Sequence, residues 1–301
     1  MARRIIFENF GADTEENRKR REEITLFEQG VRNRIEQTKS AVQMNIARVA
    51  NIFESRDLQR IFQQLDTSTA PKDGAILRKQ QNILEIRERG LLDEELLKQA
   101  LAVYAGSGLD FEYPLLLGAR QVIMVDPMFG DERNRAALIE RISRIAKVTE
   151  STEGLQFEIE FVPGNKELVT LTLRPEMFGA SNLPHNVARA EQLRHFSPGK
   201  PLSLLLGFRT EGADIDSDPD VLDKILPGGA VLADHASGNY LKSLTKEEKY
   251  QFIYMSDHFD VADLHASLQK YWAEQGFDFV PLKSEGDSYH YTFLKKRDTS
   301  L

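Results

Sequence analysis

The segment LAVYAGSGLDFEYPLLLGARQVIMVDP, residues 101–127, constrains this chain more than any other. It reads as a short apolar strand (Leu101–Ala105), a turn carrying Gly106 and Gly108, a helix, and a second apolar strand (Gln121–Val125). Asp126 ends that second strand and Pro127 follows it. Apolar strands alternating with a helix form the repeating unit of a parallel α/β sheet, which is covered on both faces. In such a sheet, small residues after the first strand let the backbone approach a ligand closely. An acid at the end of the second strand accepts hydrogen bonds from ribose hydroxyls. The segment therefore fits an adenosine-containing ligand.

The first third of the chain has a different texture. Between Asp13 and Leu65 there is no proline and the only glycine is Gly30. Val31, Ile35, Val42, Ile46, Val49 and Phe53 recur in steps of three and four, with Thr38 filling the gap, which predicts an amphipathic helix. Residues 66–74 (DTSTAPKDG) predict a loop. A second helix is expected over Ile76–Arg89 and a short third one behind the cap residue Asp93. Residues 1–94 are thus read as a helical N-terminal extension and 95–301 as the α/β domain. The extension suits a cap packed on that domain, a lid, or a dimerisation arm. Its stripe lacks the regular flanking charges of a long coiled coil.

From Leu101 onward strands and helices alternate. Further strands are expected at Leu155–Val162, Leu202–Phe208, around Ala230–Leu232, at Phe277–Leu282 and at Tyr289–Leu294. Helices are expected at Glu132–Ile145, Asp220–Ile225 and Val261–Gln275. After the turn Pro163–Asn165, the run Lys166–Leu173 reads as a hairpin arm inserted after the third strand.

Composition narrows the functional classes. The chain has no cysteine, which removes disulfides, thiolate metal sites and cysteine nucleophiles and fits a cytoplasmic protein. A net charge of -8 weighs against a nucleic acid as the main partner. Apolar runs such as 202–206 fall far short of the roughly 20 residues a spanning helix needs. The N-terminus lacks the apolar core of a signal peptide. The acidic run Asp214–Asp220 does not fit a calcium loop, because Pro219 stands where that loop needs glycine.

Taken in order, these elements resemble a class I S-adenosylmethionine-dependent methyltransferase domain, which is Rossmann-like. Gly106-Ser107-Gly108 is similar to that family's glycine motif, Asp126 to the acid ending its second strand, and Leu226-Pro227-Gly228-Gly229 to the turn leading into its fifth. The resemblance covers roughly residues 95–297. It implies a mostly parallel seven-stranded α/β sheet whose last strand is antiparallel and lies beside the fifth. It also implies S-adenosylmethionine as cofactor. Ala105, Gly106, Ser107, Gly108 and Asp110 would then lie along the methionine portion, Asp126 and Pro127 at the ribose, and Met128 and Phe208 as apolar walls.

Two departures stand out. The acid the family usually carries just before the glycine turn is absent, since the strand ends Val103-Tyr104-Ala105, and Asp110 occupies the position of a common third glycine. Asp110 or Glu112 would either replace the missing acid near the cofactor's ammonium or cap the following helix. The resemblance implies a small-molecule or protein methyl acceptor, and the helical extension allows a homodimer. No universal catalytic residue is expected, because the cofactor supplies the electrophile. Asp234 and His235 follow the fifth strand, and His235 is the first histidine to test as a base or substrate contact. Two other readings stay open: a non-catalytic methyltransferase-like assembly module, and a nicotinamide-dependent oxidoreductase, whose third glycine would fall at Phe111.

Overall fold

The computed structural model describes residues 15–65, 75–176, 201–207, 219–233, 261–282 and 292–298. Among these, the chain runs α1 (Glu15–Ile52), α2 (Arg56–Gln64), α3 (Ala75–Glu88), α4 (Glu94–Gln99), β1 (Leu101–Ala105), α5 (Glu112–Leu117) and β2 (Gln121–Val125). A 3-10 turn (Pro127–Gly130), α6 (Glu132–Ser143), β3 (Thr149–Ser151), β4 (Gly154–Val162), β5 (Asn165–Arg174) and β6 (Leu202–Gly207) follow. The last elements are α7 (Pro219–Leu222), β7 (Ile225–Ala233), α8 (Val261–Glu274), β8 (Phe277–Phe279) and β9 (Thr292–Lys296).

All nine strands belong to one sheet, in the order β3-β4-β5-β2-β1-β6-β7-β9-β8. The run β5-β2-β1-β6-β7 is parallel throughout. β9 lies antiparallel between β7 and β8, the placement expected for the last strand. Seven strands were expected; the nine arise because β3 and β4 extend the far edge, antiparallel to their neighbours.

Alternate residues of the parallel strands feed two cores, as strands covered on both faces require. Ala102, Tyr104, Val122 and Met124 pack with the N-terminal helices, α5 and β4. Leu101, Val103, Ile123 and Leu205 pack instead with Val221, Leu268 and Trp272 of α7 and α8. The first core takes in Val49, Phe53, Leu58, Phe62, Ile83 and Leu84, so α1, α2 and α3 share their apolar interior with the sheet.

Several boundaries differ from the sequence reading. The continuous N-terminal helix breaks at residues 53–55, where Ser55 caps α2 by accepting from the Asp57 and Leu58 amides. The roles of the hairpin arms are exchanged: β5, and not Leu155–Val162, pairs with β2, while β4 lies outside it. The two arms have similar alternation, so which one joins the sheet centre is decided by pairing rather than by pattern. Leu226–Gly229 is not a turn preceding the strand but a bulge within β7, where pairing to β6 jumps from Leu202↔Ile225 to Leu204↔Ala230. Accordingly, helix α7 ends at Leu222 and Ile225 is already in the strand. Tyr289–Tyr291 and the connection at Glu285-Gly286-Asp287 lie outside the described residues.

Candidate functional site

The parallel strands end level with one another: Ala105 is in register with Val125 and Gly207, and Val125 with Arg174. The segments leaving β1 and β2 therefore emerge side by side at the sheet's carboxyl edge, where open α/β sheets bind ligands. Ala105 closes β1, buried. Gly106 and Gly108 follow with φ of 64° and 53°, a left-handed backbone that favours glycine. The Gly106 amide donates to the Val125 carbonyl at 2.9 Å, and the Asp126 amide to the Arg174 carbonyl at 3.0 Å. The three strand ends are thus tied together by backbone alone.

Asp126 is the centre of this arrangement. One carboxylate oxygen accepts from the Gly108 amide at 2.8 Å and the other from the Met128 amide at 3.0 Å. The second bond makes Asp126 the N-cap of the 3-10 turn, whose first residue is Pro127. Phe129 anchors that turn in the core, and Asn134 donates to the Met128 carbonyl at 3.0 Å. A carboxylate offers about four lone-pair sites, so the two backbone donors leave acceptor capacity at an oxygen pair that is only half-buried. Met128 stands over the turn: its sulfur is the nearest atom to a Cβ built on Gly108, at 3.9 Å. Ser107 is buried beneath.

The acids beyond the turn do not cap the following helix. Phe111, not Asp110, precedes α5, and no side chain caps that helix. Asp110 is instead ion-paired with Lys79 of α3, and both are buried. Glu112 is fully buried and accepts a hydrogen bond from Arg141 of α6, which also donates to the Gln64 carbonyl at 3.3 Å. Burial raises the Glu112 carboxyl to a pKa of about 8, more than Arg141 lowers it, and the nearby Asp110 charge pushes the same way. Its Oε2 has no hydrogen-bond partner among the described residues.

The structure thus brings together Ala105, Gly106, Ser107, Gly108, Asp126, Pro127 and Met128, with Asp110 just behind the turn. Phe208, Asp234, His235 and most of the Asp214–Asp220 run lie outside the described residues. Lys79 and Arg141 are neighbours that sequence reading missed, because a lysine or arginine within a helix carries no signal of its partner across the fold. Among the described residues no cluster of acids and histidines is placed to hold a metal, and no helix is long and apolar enough to cross a membrane.

No protein-family model matches the sequence, and no curated protein matches it. Among solved structures, the chain is similar to an O-methyltransferase from Bacillus cereus in complex with SAH, at 13% identity and a TM-score of 0.42, covering 88% of this chain and 100% of that one. It is also similar to an rRNA methylase from Streptococcus thermophilus, at 14% identity and a TM-score of 0.36, covering 71% and 96% respectively. An SAH-bound methyltransferase from Podospora anserina aligns at 12% identity and a TM-score of 0.35, covering 81% and 88%.

Proposed function

We propose that this chain, folded as a class I methyltransferase-like domain behind an N-terminal helical segment, binds S-adenosylmethionine and transfers its methyl group to a small-molecule or protein acceptor. The observation that carries the reading is the Asp126 carboxylate, fixed by two backbone amides beside a left-handed glycine turn at the carboxyl edge of the sheet. Asp126 would accept the ribose hydroxyls, and Met128 would wall the adenine side. The backbone from Ala105 to Gly108 would lie against the methionine portion, with Phe208 completing the apolar wall.

When bound, the cofactor supplies the methyl electrophile; the protein's part is to orient the acceptor and exclude water. A carboxylate held before the ligand arrives needs no rearrangement to accept the ribose, which favours affinity. The lack of cysteine fits a cytoplasmic enzyme.

Calorimetric titration with S-adenosylmethionine and S-adenosylhomocysteine tests the reading. Micromolar binding is expected, weakened roughly tenfold to a hundredfold in Asp126→Ala, the worth of losing hydrogen bonds to a charged acceptor. No binding to either compound by the folded protein would overturn it.

One observation favours a second reading, a non-catalytic module that assembles through its helices. β1 ends in Ala105 without an acid, and the nearby Asp110 is occupied by Lys79. In that case the exposed Leu26 and Phe27 of α1 would contact a second copy, detectable as a dimer by light scattering. Titration with NAD and NADH covers the oxidoreductase reading.

A further inference from the structure

The contact between Lys79 and Asp110 joins two parts of the chain that sequence alone treats as separate. Lys79 lies on α3, in the helical N-terminal segment; Asp110 lies two residues beyond Gly108. Their side chains are 4% and 10% exposed. Asp110 also closes the glycine turn, its amide donating to the Ser107 carbonyl at 3.1 Å. Within that turn the Gly108 amide donates to Asp126 at 2.8 Å. An unbroken path therefore runs from the Lys79 ammonium through Asp110 and the turn to the Asp126 carboxylate.

The turn needs such an anchor. Its two glycines occupy left-handed conformations with no side chain to pack, and no helical hydrogen-bond ladder holds it. Two residues farther along, Glu112 is gripped by Arg141 of α6, which reaches the end of α2 through Gln64. The segment leaving the glycine turn is thus held by α3 at Asp110 and by α6 at Glu112. A buried ion pair adds little net stability compared with apolar packing, and its best-attested use is to fix register.

We infer that Lys79 is a positioning residue for the cofactor turn: by holding Asp110 it sets the Gly106–Gly108 backbone, so that ligand binding there is coupled to the seating of α3. This rests on the cofactor reading above. Linkage makes the coupling reciprocal, so a ligand on the turn must also stabilise α3.

The test uses the full chain, S-adenosylhomocysteine as probe, and the variants K79M, K79R and K79M/D110N, with thermal melting as the check on folding. K79M is expected to bind at least tenfold more weakly than wild type, and K79R, which keeps the charge, within about threefold of it. K79M/D110N removes both charges of the pair. It is expected to fold and still bind weakly, so it carries the affinity test if K79M does not fold. Hydrogen exchange over residues 75–88 is expected to slow when the ligand is added to wild type and not to K79M/D110N, a response that a purely structural contact would not give. Wild-type affinity in the folded variants, with α3 exchange indifferent to ligand, would overturn the inference alone. A wild-type protein that binds nothing would overturn the cofactor reading and this inference with it.

Discussion

Gly229 has no room for a side chain: an added Cβ would meet the Ser203 carbonyl oxygen at 2.8 Å and that of Leu226 at 2.9 Å. Both are backbone atoms at the β6–β7 bulge, so neither can swing aside as a side chain could. Gly229→Ala is therefore expected to destabilise the protein by roughly 2 kcal/mol, the usual range for overpacking, read from the urea midpoint. Glu112 gives a prediction in pH. Its folded pKa of about 8 exceeds the ordinary 4.5, so the folded state holds a proton that the unfolded state releases. The resulting stability is fully present below about pH 4.5 and is lost as pH rises through about 8. Glu112→Gln keeps the neutral shape and removes the titration. Relative to wild type, the variant should gain on the order of 2–4 kcal/mol between pH 4.5 and 8.5. Parallel stability curves for the two proteins across that range would show that Glu112 stays ionised beside Arg141.

At the scale of elements, α2 shows how a short helix is held. Ser55 accepts from two α2 amides and also donates to the Glu160 carbonyl of β4, while the Asp57 carboxylate accepts from the Glu160 amide at 3.0 Å. Ser55→Ala removes a cap and leaves a strand carbonyl without that donor. A loss of roughly 2 kcal/mol is expected, with faster hydrogen exchange in α2 than in β1. Little of this was legible beforehand. The apolar stripe of the N-terminal helix runs on through Phe53, so periodicity gave no sign of a break before Ser55. By contrast, Asp93 announced α4, and Leu101–Asp126 announced β1, the turn, α5 and β2. In these cases cap chemistry, glycine and strand length all act locally. The exchange of the hairpin arms, the bulge at Leu226–Gly229 and the Lys79–Asp110 contact depend on which distant backbone lies alongside. A single segment does not encode that. The same limit applies at the site: Asp126 was readable as an acid ending a strand, but its two backbone donors were not.

On the scale of the whole molecule, the two cores lie on opposite faces of one sheet and share its strands. Leu84 of α3 and Leu205 of β6 sit in different cores, yet each is at most 1% exposed. Leu84→Ala and Leu205→Ala should each cost roughly 2–5 kcal/mol and shift one common unfolding transition seen by far-UV circular dichroism and Trp272 fluorescence. Separate transitions would mean that the helical segment and the sheet domain fold independently.

The covering of β4 has a consequence for how copies of this chain behave toward each other. β3 pairs with β4 only from Gly154 to Gln156, and farther along the strand Ser55 and Asp57 occupy the backbone groups of Glu160. An uncovered strand edge is a template for edge-to-edge pairing between molecules. Those two side chains cover the β4 edge at Glu160. Ser55→Ala combined with Asp57→Ala should free the edge as well as remove the α2 cap. That variant should scatter more light than wild type during incubation, at denaturant concentrations that leave the same fraction of each protein folded.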